Sequence, residues 1–353
     1  MVDLEAATLT VPKSIDFFKG NLLIGLRNGS IMEFKNILSD KAEDNGKTLM
    51  QSHFEGEVWG LTLVGNNKLL TCGDDNRVML FNLDTRQCES IGKVSDTKMT
   101  GSRKSTASSM SQFAPNKQAR AVAYSAKHGH VALCSNMGKV SIRDIKDLDK
   151  KIATLKGPQE WCEVARFSPD EKYVAVGSHD NCIYVYEISG DNYTHYCKFA
   201  RHASFINSFD WSLDGRYIRS SDGGHERLFY SMETKQHDPH GVTTTAELEW
   251  ASHSIKQGED NIAGCKPESE DNTHINYLAR SPDGSLLATA DDWGLVNVFN
   301  YPVLAGANGS GARSYSGHSE HVVRVEFSED SQRMYTVGGQ DKALIQWKRQ
   351  KIE

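Results

Sequence analysis

Histidine, threonine and aspartate recur in this chain at fixed distances from an aromatic residue. His53, Thr71 and Asp75 precede Phe81, and His318, Thr336 and Asp341 precede Trp347. The step from histidine to aromatic is 28 residues for His53–Phe81, 29 for His318–Trp347 and 28 again for His202–Tyr230. An imidazole beside a carboxylate has the chemistry of a general base. It has equally the chemistry of a buried hydrogen-bond net, in which the aspartate accepts from turn amides and from the histidine. Catalysis needs one site, whereas this set returns segment after segment. We therefore read His53, Thr71, Asp75, His318, Asp341 and Trp347 as a structural clamp. His128 and His130 flank Gly129 and read as a hairpin turn rather than a metal pair. His237, Asp238 and His240 form the other local cluster, a weak match to a transition-metal site. No glycine-rich phosphate loop, HExxH, GxSxG or CxxC pair occurs. The seven cysteines are scattered and odd in number, which reads as reduced, buried thiols of a cytosolic protein. Nothing here supports an enzyme, and no metal or cofactor is expected.

The elements that carry these residues form a repeat. Each copy is an apolar strand, a polar turn, a second strand, a tight turn, and a third strand ending in an aromatic. The step from turn serine to strand end is 18 residues for Ser168–Tyr186, Ser212–Tyr230 and Ser281–Phe299, and 19 for Ser328–Trp347. Strand ends at Phe34, Phe81, Arg143, Tyr186, Tyr230, Phe299 and Trp347 make seven copies. Alternation such as Cys182-Ile-Tyr-Val-Tyr186 has the period of a strand. Ser281-Pro-Asp-Gly284 is turn chemistry, with proline setting φ and glycine supplying a positive one. Copies of this length and strand content are blades of a β-propeller. The expected fold is therefore all-β: one propeller over residues 1–353 with seven blades, or eight if an irregular segment forms its own.

Two connections break the period. Phe81 to Arg143 spans 62 residues, and the surplus lies in the serine-rich, locally basic stretch 95–112, read as a loop insertion. Tyr230 to Phe299 spans 69 residues, with an irregular insertion at 234–271 containing the strand-like Ala246–Ser254. Six residues follow Trp347, too few for a fourth strand, so the β-rich Ala7–Val11 is expected to close the last blade. The formal charge of −6, from 40 basic and 46 acidic side chains, argues against nucleic acid or an anionic membrane as partner. No run is long and apolar enough for a membrane span, and the N-terminus does not read as a secretory signal.

The copies resemble WD40 repeats, although the closing Trp-Asp pair is absent. Several stretches resemble something narrower, the echinoderm microtubule-associated protein-like family. They are Glu57–Leu61 with Leu69–Asp75, Ser168–Ile188, His202–Ser212, Ala288–Pro302, and Gly317–Phe327 with Thr336–Lys348. That resemblance implies the C-terminal member of two tandem atypical propellers. It also implies a cytoplasmic, cytoskeletal protein-interaction module with tubulin or microtubules as partner. The alternative is a generic WD40 scaffold that assembles other proteins without tubulin contact. The chain departs from the family at Asp222–His225, where the family's Ser-Gly-Asp is missing, so the fifth clamp is expected to be incomplete. The sequence carries no signal of oligomeric state.

A binding face follows from the repeat. The residue before each first strand looks out of one rim: Glu57, Gln118, Trp161, Phe205, His274 and His321. Beside the turn aspartates lie Asp74, His179 and Gln340. Aromatics are favoured interface anchors. The expected partner-binding set is therefore Trp161, Phe205, His274, His321, His179 and Asp74, with burial of Trp161 and Phe205 under neighbouring loops as the alternative.

Overall fold

The computed structural model describes residues 11–39, 46–94, 118–255, 265, 274–304 and 312–350. The 95–112 stretch lies outside them, as does Ala7–Val11 except for Val11, which is exposed. The described strands form seven antiparallel sheets, each running in chain order. The first six have four strands and the last has three. The first strands of the sheets are Pro12–Phe18, Val58–Val64, Ala119–Ser125, Cys162–Phe167, Ile206–Trp211, Ile275–Arg280 and Val322–Phe327.

Both faces of the middle strands of the third and fourth sheets are apolar because each of these sheets is packed between two others. Ile142 and Ala132 of the third sheet meet Val174, Val176 and Tyr186 of the fourth. Val185 and Phe199 of the fourth meet Phe209, Trp211 and Tyr230 of the fifth. Each such side chain is worth about 1.5–3 kcal/mol of burial. The turn serines fix the hairpins between first and second strands. Ser168, Ser212, Ser281 and Ser328 Oγ each donate to the aspartate two residues on, at 2.6–2.7 Å, and accept the amide five residues on. At the turn's fourth position φ is positive: +72° at Gly215 and +68° at Gly284.

The clamp geometry is the same at both ends of the repeat series. His53 Nδ1 lies 2.9 Å from Asp75 and its Nε2 2.9 Å from Thr71 Oγ1. His318 makes the same pair of contacts to Asp341 and Thr336, at 2.9 and 2.8 Å. Trp347 Nε1 donates to the same Thr336 hydroxyl at 2.9 Å, with its ring only half-buried. The fifth clamp, expected to be incomplete, is instead rebuilt from a different position. Asp222, at the end of the second strand, accepts the amides of Ser204, Gly224 and Glu226 and stands 3.2 Å from His202 Nδ1. Ser220 Oγ takes Nε2 at 2.6 Å. An aspartate two residues after the hydroxyl can reach the same histidine as one four or five residues after it, because the turn folds back.

Packing order differs from the expected succession. The seventh sheet meets the second: Val58 N donates to Gly339 O, Leu63 N to Glu326 Oε2, and Leu61 and Leu69 pack on Tyr335 and Val337. The first sheet has its own small core of Ile24, Leu26, Met32 and Phe34, and Pro12–Phe18 is exposed along its whole length. Between the fifth and sixth sheets the irregular insertion is tied to the fifth. Ser212 bridges Trp250, Leu213 N donates to Glu249 O, and the buried Asp210 accepts from Ser252 Oγ and from Ser254 N and Oγ.

Thr336→Val removes the shared partner of His318 and Trp347 while keeping the side chain's shape. It is expected to lower unfolding free energy by about 2–3 kcal/mol, and Thr336→Ser by well under half of that. Chemical denaturation of the three proteins checks this, and an unchanged Val midpoint would refute the clamp's energetic role.

Candidate protein-interaction rim

Every sheet carries the same irregularity. The first strand's register shifts after its first residue, between Val58 and Gly60, Cys162 and Val164, Ile206 and Ser208, Ile275 and Tyr277, and Val322 and Arg324. In the third sheet the shift falls between Ala119 and Ala121. A bulge re-aims one side chain and bends the strand. The bulged residues of the second to seventh sheets are Trp59, Arg120, Glu163, Asn207, Asn276 and Val323. They were not among the residues singled out from the sequence, because their types share nothing.

Together with the expected rim residues they build a ladder. Arg120 lies between two indoles, 4.1 Å from the Trp59 ring and 4.4 Å from Trp161. Trp161 packs on His179 at 5.2 Å, and His179 stacks on Phe205 at 4.6 Å. Trp161 and Phe205 are therefore neither folded under loops nor free. They are 39% and 40% exposed, with one face held. Glu163 lies 3.3 Å from His179 Nε2. Burial pulls the Glu163 carboxyl upward, but His179 and Arg324 outweigh it and leave the group below its ordinary range.

The remaining expected residues are dispersed. Asp74 is spent internally, accepting from the Trp59 indole and the Glu57 amide at 3.1 Å each, with Arg120 at 3.5 Å. His321 is half-buried, 3.4 Å from Glu57, which also accepts from Gln340. His274 is exposed and outside the ladder. Trp293, in the turn after Asp291, is 66% exposed. Aligning that turn with the one that carries Gln340 would have found it.

Under the rim Arg324, of the seventh sheet, joins the second, fourth and sixth sheets. Its Nε donates to Trp59 O at 3.2 Å and its Nη2 to Glu163 O at 2.8 Å, and the guanidinium stacks 4.5 Å from the Tyr277 ring. A cavity of about 300 Å³ adjoins it, with Arg166 donating to the Tyr277 hydroxyl and Glu326 opposite. Burial drives the Glu326 carboxyl up to about 7, against the pull of Arg166, the Leu63 amide and Arg324. The possible metal clusters read from sequence are occupied by other contacts: His128 Nε2 faces Glu171 O and His130 Nδ1 faces Tyr193 OH. His237 lies edge-on to Tyr230, and Asp238 accepts the His240 amide. His202, Asp222 and Glu226 bring their ligand atoms within 4.8 Å of one another, but two of the three are the fifth clamp.

A family model described as the echinoderm microtubule-associated protein second beta-propeller matches residues 58–349. The ciliary WD repeat-containing protein ctxp80 of Euplotoides octocarinatus is 41% identical over 339 residues, 96% of this chain and 46% of that protein. The 77 kDa echinoderm microtubule-associated protein of Lytechinus variegatus is 32% identical over 88% of this chain and 43% of its own length. The human echinoderm microtubule-associated protein-like 3 is 32% identical over 85% of this chain and 31% of its own. The chain thus spans less than half the length of these relatives.

Glu326 gives a pH signature. Its folded pKa lies above the unfolded carboxylate value of about 4.3, so its contribution is full below that value and is lost as pH rises towards 7. Glu326→Gln, which keeps an acceptor for Leu63 N, is expected to match wild type near pH 4 and to be roughly 1–2 kcal/mol more stable at pH 8. Denaturant midpoints across pH check it, and a constant difference would contradict the assignment.

Proposed function

Because the chain belongs to the echinoderm microtubule-associated protein family, we propose that it is a non-enzymatic protein-interaction module working at the cytoskeleton, and that the rim sector of Trp161, His179 and Phe205 is its partner contact. The observation that carries this is the half-exposed state of Trp161 and Phe205, each held on one face by a cation or imidazole. An anchor already fixed in place gives up little entropy when a partner covers its other face. His274, His321 and Trp293 extend the same rim, and Asp74 supports it from inside.

The architecture behind the rim is, in our reading, a ring of the second to seventh sheets in which the described segment 245–255 of the insertion stands at the place of the remaining blade. Two facts support it. The seventh sheet is bonded to the second, and Ala251 and Ser252 line the central cavity where an inner strand would. The family match begins at residue 58, the first residue of the second sheet. The first sheet would then stand outside the ring rather than serve as its first blade, and the domain would run from 58 rather than from 1. Among the described residues no helix is long and apolar enough to cross a membrane.

A second reading, a scaffold that never touches tubulin, draws on charge. Around the channel mouth Glu57, Asp74, Glu163 and Asp292 stand against Arg120 and Arg324. A net-negative mouth suits a basic partner better than the strongly acidic microtubule surface.

Trp161→Ala with Phe205→Ala is expected to weaken partner binding by more than about 2 kcal/mol, roughly thirtyfold in Kd. Microtubule co-sedimentation and size-exclusion with soluble tubulin, run on wild type and the double variant, separate the readings. Wild-type pelleting that the variant loses supports the rim as a tubulin contact. Pelleting that both retain removes the rim from it, and no association by either method leaves the scaffold.

A further inference from the structure

The fifth clamp differs from the other two in one bond. His53 and His318 each place Nδ1 in a hydrogen bond with an aspartate oxygen at 2.9 Å. His202 keeps the other half of the clamp, with Nε2 2.6 Å from Ser220 Oγ. Its Nδ1 makes no hydrogen bond among the described residues, although the side chain is fully buried. Two carboxylates face that nitrogen: Asp222 Oδ2 at 3.2 Å and Glu226 Oε2 at 3.8 Å. The second of them is particular to this sheet. The residue before the third strand is Asn76 in the second sheet and Ala343 in the seventh, but Glu226 in the fifth.

A buried polar atom left without a partner is costly, and in a native fold it marks a place where something can bond. Burial lowers the His202 pKa, against the pull of Asp222 and Glu226, so the ring is neutral at physiological pH. A neutral imidazole carries one ring proton. With that proton on Nε2, donated to Ser220 Oγ, Nδ1 turns a lone pair towards two carboxylates. Three electron-pair donors then converge, and a cation between them makes the arrangement favourable. Ser220 is also the partner that a metal-bound imidazole takes at its other nitrogen. Asp222 is held in place by its turn. Its Oδ1 accepts the amides of Gly224 and Glu226 at 3.0 and 2.8 Å, and its Oδ2 accepts Ser204 N at 3.2 Å, which leaves Oδ2 a second lone pair. The Glu226 side chain is 47% exposed, so the site opens to solvent on that side.

We propose that His202 Nδ1, Asp222 and Glu226 form a divalent transition-metal site, with zinc as the best-fitting ion and water in the remaining position. The three ligand atoms lie within 4.8 Å of one another. Zinc–ligand bonds of about 2.0–2.2 Å put tetrahedral neighbours roughly 3.3–3.6 Å apart. The pair at 3.2 Å is close to that spacing, and the pair at 3.8 Å reaches it by a small turn of the exposed Glu226 side chain. The imidazole selects zinc over calcium and magnesium, which take oxygen ligands. Three protein ligands and an open position make an exchangeable site rather than a closed structural one. The site adjoins the rim, since Gly223 N, beside Asp222, donates to Phe205 O at 2.9 Å.

The whole chain, stripped with a chelator and kept reduced, is titrated with zinc chloride against a chromophoric chelator. A second titration uses cobalt chloride, followed by absorption. One zinc per chain is expected, with cobalt d–d bands in the visible and no thiolate charge-transfer band in the near ultraviolet. Glu226→Gln removes an exposed donor that the clamp does not use. It should lose at least the roughly tenfold in affinity that removing a supporting partner of a ligand costs. Glu187→Gln, at an exposed carboxylate of the fourth sheet, should bind as wild type. Zinc should raise the thermal denaturation midpoint of wild type and not that of Glu226→Gln. Calcium or magnesium at about 1 mM should not displace cobalt, and displacement would refute a site built on imidazole. No saturable zinc binding at about 100 μM overturns the assignment. So does unchanged affinity in folded Glu226→Gln, or a cobalt spectrum dominated by a thiolate band, because the ion then sits on other histidines or on cysteines. None of these readouts depends on the partner of the rim.

Discussion

One guanidinium ties four of the sheets together. Arg324 starts on the seventh sheet and ends on backbone carbonyls of the second and fourth, with the ring of Tyr277 on the sixth against its face. At 8% exposure it would be an expensive charge without those partners. The carbonyls it needs belong to Trp59 and Glu163, and both are bulged residues. The register shift turns each carbonyl inward and each side chain onto the rim. From Trp59 the ladder runs outward through Arg120 to Trp161; from Glu163 it runs through His179 to Phe205. The candidate contact face thus descends from a buried bond on the channel side of the same two residues.

What a sequence can reveal of such a molecule depends on whether a residue type is tied to its place. Ser168, Ser212, Ser281 and Ser328 were legible because only a hydroxyl can accept the amide five residues on while donating to the turn aspartate. His53 and His318 were legible for the same reason, since the clamp needs both imidazole nitrogens. The fifth clamp was not, because Asp222 does the work from a new position. The bulged set was invisible, since Trp59, Arg120, Glu163, Asn207, Asn276 and Val323 share a register and no chemistry. Trp293 sits where no aromatic was sought.

Periodicity counts copies but does not say which copies are neighbours. The first sheet repeats the blade pattern as well as any, yet Ile15 is 73% exposed and Phe18 66%, and the seventh sheet bonds to the second. Trp250–Ile255, most of it within the stretch read as strand-like from the sequence, lies along the fifth sheet through Asp210, Ser252 and Ser254. There a polar net does what apolar alternation does elsewhere. Both cases have one cause: alternation reports that a strand has buried neighbours, not which strand supplies them.

Local sign matters more than the net charge of −6. The rim gathers carboxylates around two embedded guanidinium groups, while the cavity between the fifth and sixth sheets is lined by Arg219, Arg227 and Arg280 with Glu249, Asp283 and the buried His253. At short range a partner meets one of these fields and not their sum, because charges beyond about 8 Å are largely screened at physiological salt. Arg120 and Arg324 are both enclosed, Arg120 with its faces on two indoles and Asp74 3.5 Å away, Arg324 with its N–H groups on two backbone carbonyls. They shape the rim from beneath it, and the same side chain serves as a brace whether its partners are ring faces or backbone oxygens.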